Sequence, residues 1–511
     1  MFIRKNRNRS GSTSVQIVSK EGGRYKVVRS VGSSKDPNEI EKFIIQAKRI
    51  LGHPEGQLSL FPTRTPIELA VDSFLENISN DQIKVVGPEL IFGELFDRIG
   101  FNDIAKDLFR HITIARLAYP VSKLKTVDYL KRYSGIEVSK NAIYRFLDEL
   151  HSKHKEAVEK IAYEHTHRIL KGISVVFYDM TTLYFEAEDE DDLRKIGYSK
   201  DGKFQHPQIM LGLLVGKGGY PIGYDIFEGN AFEGHTLIPI LSKMKKKYAI
   251  STFTVVADSA LLSRDNLEKL KDNKYHFIIG ARIKNESTCL QAQILKLRSE
   301  LSDGQSFEIK RPDGSRLIVS YSSKRAKKDA FNRDKGLQRL RKQIKTGQLT
   351  KDKINNRGYN KFLVLSGKTF VSIDENKVLK DALWDGLKGY ITNTKLTTDS
   401  VIENYQNLWK IEEAFRISKT DLRIRPIFHY RKRRIEAHIC ISFVAYTIYK
   451  ELERLLLNAQ SSITVKRASE LTRTMYQIQF KSSDTALPSK IILKMSPQQL
   501  EVYNLVKNSK F

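Results

Sequence analysis

Over the first sixty residues apolar and polar positions alternate, in SVQIVSK and GRYKVVRSVGS on either side of an EGG turn. The spacing then lengthens to that of a helix from about Pro37 to Leu51. This pattern predicts a small strand-helix module over residues 1–60. The stretch GHPEGQLSLFPTRTP that follows reads as a linker. From Pro88 to Leu170 apolar residues recur at helical spacing, which predicts a largely helical region over 61–171. Within it, KTVDYLKRYSGIEVSKNAIYRFLDEL reads as two helices joined by a tight turn, with Gly135 stopping the first and Ser139 capping the second.

From Gly172 the period changes to that of strands. VVFYDMTTLYF is followed by QIMLGLLVGKGGYPIGYDIFEG, in which a GG turn separates two apolar runs in hairpin fashion. A helix, HTLIPILSKMKKKYA, leads into the strand TFTVVAD, then come a helix, LSRDNLEKLKDN, and the strand YHFIIGAR. Three strands, a helix, a strand, a helix and a strand predict an α/β fold built on a mixed five-stranded sheet over residues 172–283. Residues 284–399 differ in character: charged helical stretches sit among strand-like ones, and we expect a mainly β insertion subdomain beside the sheet. A long helix, ENYQNLWKIEEAFRISKTDL, opens the last part of the core at 400–457, and residues 458–511 form a C-terminal region. ICISFVAYTIY at Ile439–Tyr449 is far too short to span a membrane and reads as a buried helix.

Charge adds a class of partner. The chain has 511 residues, and 87 Lys and Arg against 59 Asp and Glu leave a formal charge of +28. On a globular composition that excess points to a polyanion, most often nucleic acid. A DNA partner makes a helix-turn-helix of the predicted helix pair, with Lys140, Asn141, Tyr144 and Arg145 at the start of the second helix; an ordinary helical hairpin is the alternative. RIRPIFHYRKRRIEAH, which includes Arg431, Arg433 and Arg434, is expected to face the DNA backbone. The N-terminal stretch lacks the apolar centre of a secretory signal, and two cysteines are too few for a disulfide framework or a zinc site. A cytoplasmic protein with no membrane partner is expected.

Two apolar runs stop on an aspartate, VVFYD at Asp179 and TVVAD at Asp258. Either alone is an ordinary turn residue. The long predicted helix changes that reading, because Tyr405, Glu412 and Lys419 follow one another at intervals of seven and so share one stripe. In-line attack on a phosphodiester is served by two Mg²⁺ ions about 3.5–4 Å apart, and such hard cations take carboxylate oxygens. Two adjacent strands and one helix can supply them. Tyr405 and Lys419 would then meet phosphate.

With these residues in place, the chain resembles the DDE transposases of bacterial insertion sequences, the group with a Y-x2-R-x3-E-x6-K helix motif and a β-rich insertion. The resemblance covers roughly Ile173 to Leu457 and includes GYSKDGKFQHPQIMLGLLV and FEGNAFEGHTL. It implies an RNase H-like core, catalytic and metal-holding roles for Asp179, Asp258 and Glu412, and two Mg²⁺ ions, for which Mn²⁺ can substitute. It further implies cleavage at element ends and their joining to target DNA, by a homodimer or larger synaptic complex at the bacterial nucleoid. The motif's Arg is Leu408 here, and Lys410 and Arg416 are near enough to compensate; Glu413 rivals Glu412, but the spacing favours Glu412. Trp384 stands where hairpin-forming relatives stack a base. Asn230 and Thr236 match polar positions of the family, Thr236 also being a helix cap. A nuclease without strand transfer, or a non-catalytic DNA-binding regulator, would share most of these features.

Overall fold

The computed structural model describes the chain except residues 53–67, 69–71, 73–74, 77, 249–252, 262, 348, 350–353, 356, 367–369, 482–487 and 510–511. The expected linker therefore lies almost entirely outside the described residues. The chain divides into two units, Met1–Asn80 and Asp81–Phe511.

The first unit contains an antiparallel meander, β1 (Phe2–Arg7), β2 (Thr13–Glu21) and β3 (Arg24–Ser34), followed by the helix α1 (Pro37–Gly52). Gly22 and Gly23 both take positive φ, 56° and 81°, which suits the tight turn between β2 and β3. Val15, Ile17 and Ala47 form its small core with Phe43 and Ile44.

In the second unit, β4 (Ile83–Val85) precedes five helices: α2 (Glu94–Ile99), α3 (Asp107–Ala118), α4 (Lys123–Tyr129), α5 (Lys140–Glu149) and α6 (Lys155–Ile169). The sequence-predicted stop and cap are both present. Gly135 is left-handed at φ 71°, and Ser139 Oγ accepts from the Ala142 N–H at 3.1 Å.

The large sheet then begins with β5 (Val175–Tyr184), β6 (Gln208–Val215), β7 (Pro221–Glu228), β8 (Thr254–Ala257) and β9 (His276–Ala281), with α7 (Leu237–Tyr248) and α8 (Arg264–Asp272) between the later strands. β6 runs antiparallel to both β5 and β7, and β8 and β9 continue parallel to β5. Every residue of β6 and β8 is buried, as expected for strands covered on both faces.

The insertion departs from expectation. Its elements are α9 (Thr288–Arg298), β10 (Ser306–Lys310), β11 (Arg316–Tyr321), α10 (Ser323–Lys345), the hairpin β12 (Leu363–Ser366) and β13 (Phe370–Ile373), α11 (Glu375–Ala382) and β14 (Leu387–Thr392). β14 pairs antiparallel with β9, and β11 and β10 follow, so the sheet has eight strands in the order β10-β11-β14-β9-β8-β5-β6-β7. The insertion is thus mixed in structure, and three of its strands extend the core sheet in place of a separate, mainly β body. An uncovered β9 would expose unpaired backbone groups along its edge, and β14 satisfies them.

After β14 come α12 (Thr398–Gln406), α13 (Trp409–Arg416), α14 (Lys432–Asn458), α15 (Val465–Thr472), the hairpin β15 (Tyr476–Lys481) and β16 (Pro488–Ile492), and α16 (Pro497–Asn508). β15 also pairs with β4, so the C-terminal region closes on the helical region. α14 is the buried helix expected from ICISFVAYTIY, and packs against α3, α5, α6 and β7. One face of the sheet, with Phe177, Leu213 and Val256, packs on α13 and α14; the other, with Val176, Tyr178 and Val255, packs on α7 and Leu270 of α8. Among the described residues no helix is long and apolar enough to cross a membrane.

Candidate active site

Asp179 does not end its strand. β5 runs on to Tyr184 against β6, whereas its parallel neighbour β8 stops at Ala257. The last parallel pair is Tyr178 with Ala257. Asp179 and Asp258 are thus the residues that follow the last pair on the two neighbouring chains, close enough for Asp258 to act on the Asp179 carboxyl. Phe177 and Val256 belong to the core beneath α13 and α14. By the two-residue alternation of a strand, Asp179 and Asp258 point to that same face.

The row continues across the sheet. Asp179 is paired with Leu213, and Tyr390 with Gly280, which follows the residue paired with Ala257. Tyr405 of α12 lies over Gly280 and donates its hydroxyl to Asp258 Oδ1 at 3.1 Å. Asp179 Oδ1 accepts from the Met180 N–H at 2.7 Å, and Asp258 Oδ1 from the Ser259 N–H at 2.6 Å. Burial pushes the Asp179 carboxyl up to about 6, with nearby Glu233 and Asp258 adding to the effect against Lys200 and the Met180 N–H. Lys200 Nζ lies 3.9 Å from Asp179 and 2.7 Å from Glu233. Lys388 stands over the Tyr405 ring at 4.4 Å; burial lowers its pKa, while Asp258 and Glu412 act to raise it.

Glu412 comes from α13, which packs on β5. The expected single helix is broken here. α12 ends at Gln406, Asn407 and Leu408 form a turn, α13 follows, and residues Ile417–Asp421 close as a wider π-turn. Glu412 is exposed. Glu413 is held by Lys410 at 3.1 Å and Arg416 at 3.2 Å. Lys388, over the Tyr405 ring, lies within electrostatic reach of both Asp258 and Glu412. Among the described residues, no three His, Cys, Asp or Glu side chains are gathered closely enough to hold a metal ion.

A family model described as a transposase DDE domain matches residues 170–448. The chain belongs to the DDE transposase family. No curated protein matches it. Among solved structures, a piggyBac transposase synaptic complex with hairpin DNA aligns over 78% of this chain and 80% of its own, at 10% identity and TM-score 0.38. A Mos1 transposase paired-end complex with the left transposon end covers 48% and 68%, at 10% identity and TM-score 0.16. A mariner Mos1 paired-end complex with Mg covers 47% and 66%, at 12% identity and TM-score 0.14.

The transposase places its other sequence-predicted residues variously. Lys419 pairs with Asp201 at 3.2 Å, so its charge is already partnered. Leu408 packs at the edge of the core, where no phosphate contact arises, and Lys410 and Arg416 are bound to Glu413. Trp384 is 8% exposed in the core on the opposite face, so it offers no ring to a base in this arrangement; the exposed tryptophan is Trp409, 49%, beneath Lys410. Lys140, Asn141 and Arg145 lie exposed on α5, whereas Tyr144 is half-buried under Arg434. Arg433 and Arg434 both clamp Asp148, at 2.8 and 2.9 Å, and Arg431 is exposed. Thr236 is buried, its hydroxyl within 2.7 Å of the Tyr178 hydroxyl.

Lys200, Glu233, Lys388 and Gly280 escaped sequence reasoning. Lys200 and Glu233 lie inside GYSKDGK and FEGNAFEGHTL, whose resemblance to the family's segments was their one signal; Lys388 and Gly280 had none, since strand pairing alone brings them to the site. A Cβ at Gly280 would fall 3.0 Å from Tyr405 Cζ and closer still to its hydroxyl. Gly280→Ala is therefore expected to push Tyr405 off Asp258 and reduce cleavage to the level of Tyr405→Phe. The double variant should be no worse than either single one, because both act through one hydrogen bond.

Proposed function

We propose that this transposase cuts the ends of its element and joins them to target DNA by metal-dependent phosphoryl transfer on an RNase H-like core. The observation that carries this reading is the pair Asp179 and Asp258, directly after the last residue pair of the parallel strands β5 and β8, with Tyr405 bound to Asp258 and the Glu412 helix over the same face.

The donor set fits a hard divalent cation. Asp179 sits near Glu233 and Asp258 with its carboxyl pushed up to about 6, a place where added positive charge is favoured. Mg²⁺ commonly takes one or two carboxylates and fills its remaining positions with water and substrate phosphate, so two aspartates suffice as its anchor. Asp179, Asp258 and Glu412 would hold it, with Mn²⁺ as a substitute. When bound, such ions activate the attacking oxygen and stabilise the leaving one. Tyr405 orients Asp258, and Lys200 balances the charge of Asp179 and Glu233. Glu412 is exposed on α13, the helix that packs on the strand of Asp179.

The deciding experiment incubates the full-length chain with DNA carrying the repeats that flank its element, with and without Mg²⁺. Cleaved ends joined to target support the proposal; cleavage without joining indicates a nuclease, and binding without cleavage a regulator. Synapsis of two ends would need at least a dimer. The work would take place in the cytoplasm at the nucleoid.

We further propose that α5 reads the terminal repeat, since Lys140, Asn141 and Arg145 are exposed at its start. Asn141→Ala or Arg145→Ala should cost about 1–3 kcal/mol of preference for repeat over scrambled duplex, measured by competition binding. Equal preference in variant and wild type would move recognition to another part of the chain.

A further inference from the structure

A second constellation lies away from the carboxylates, between the helical region and the segment joining α13 to α14. A cavity of about 510 Å³ is bordered by Arg116 of α3, Lys123 of α4, Arg423, Arg425, His429 and His438. Arg116, Lys123 and His438 are each 5% exposed. Among the described residues, Lys123 Nζ and His438 Nδ1 are buried without a hydrogen-bond partner. Arg116 donates to the carbonyls of Leu422 and Arg423 at 3.4 and 3.3 Å, both long. Arg425 is paired with Asp201. Among the described residues, no Asp or Glu lines the cavity.

A buried cation without an acceptor is costly, and folded proteins leave few such groups unsatisfied. Here burial depresses the Lys123 pKa well below its usual range, and Arg116 lowers it further. Two buried basic side chains, Arg116 and Lys123, therefore share one cavity in which, among the described residues, no carboxylate answers them, while His438 donates its Nε2–H to the Ile424 carbonyl at 2.9 Å and keeps Nδ1 as an acceptor. A tetrahedral phosphate presents several anionic oxygens at once, and Arg and Lys are its usual partners.

We propose that this cavity is a phosphate-binding site, in which one phosphate group accepts from Lys123 Nζ and the Arg116 guanidinium, with Arg423 and His438 beside it. The phosphate is either a backbone phosphodiester of DNA or free phosphate. The site does not depend on the cleavage chemistry, and its test reads none.

Full-length wild type, Lys123→Met and Lys123→Gln are melted in sodium phosphate and in sodium chloride of equal ionic strength, and their affinity for duplex DNA is measured across salt. Phosphate should raise the melting temperature of the wild type and leave both variants unmoved. In chloride, Lys123→Met should melt higher than wild type, since a buried unpaired cation has been removed, and this also shows that the variant is folded. If backbone phosphate enters, both variants bind duplex about tenfold more weakly. Their log K against log salt also becomes shallower by about one. If free phosphate alone enters, duplex binding is unchanged while the phosphate response is lost. Wild type and variants that respond alike in both arms overturn the proposal, as would happen if water alone filled the cavity.

Discussion

Asp179→Asn, Asp258→Asn and Glu412→Gln are each expected to cut DNA cleavage by at least about 10³-fold, since each removes a carboxylate whose charge stabilisation is worth several kcal/mol. Duplex affinity should hold, because no positive charge is lost. Single-turnover cleavage alongside a binding assay separates the two effects, and a Glu412→Gln chain that still cleaves would transfer the role to Glu413. Asp179→Asn carries a second signature. The Asp179 carboxyl is pushed up to about 6 by burial, above its ordinary 3.8. The folded state then binds more protons than the unfolded one between those values, so stability falls as pH rises through that window. Without metal, Asp179→Asn should therefore be more stable than wild type above pH 6, by about 1–2 kcal/mol once screening of a side chain that keeps 29% exposure is allowed for. The gain should vanish below the unfolded value. Denaturant midpoints at pH 7.5 and at the lowest pH the fold tolerates would check this.

Phe177→Ala should give the largest loss of stability, about 3–5 kcal/mol, because the ring is 1% exposed between the sheet and the helices that cover it. Phe177 also stands two residues before Asp179 on the same face of β5, so collapse of its site would shift the carboxylate row. Cleavage should fall with stability, in contrast to the Asp variants, which lose activity alone. Urea unfolding followed by fluorescence reads the first effect, and cleavage at low temperature, where the variant stays folded, reads the second.

Local chemistry made much of this protein legible without a structure. The glycine pair before β3, the stop at Gly135 and the cap at Ser139 depend on residues a few positions apart, and each formed as its side chains or missing Cβ require. The apolar runs VVFYD and TVVAD were legible as strands, and the aspartates that close them lie on the neighbouring strands β5 and β8 or directly after them. Pairing over long separations was another matter. Nothing in LKGYIT says that β14 will lie against β9, because a strand's alternation names its buried face and not its neighbour. The insertion therefore looked like a separate body, whereas three of its strands extend the core sheet. For the same reason Gly280, Lys388 and the Tyr405 hydroxyl reached Asp258 unannounced. The stripe of Tyr405, Glu412 and Lys419 assumed one unbroken helix, and the turn at Asn407 and Leu408 ended it. Residue spacing determined which side chains were available to this protein, and tertiary packing decided which of them meet, because contacts between distant segments are set by the burial of whole faces and not by any local preference.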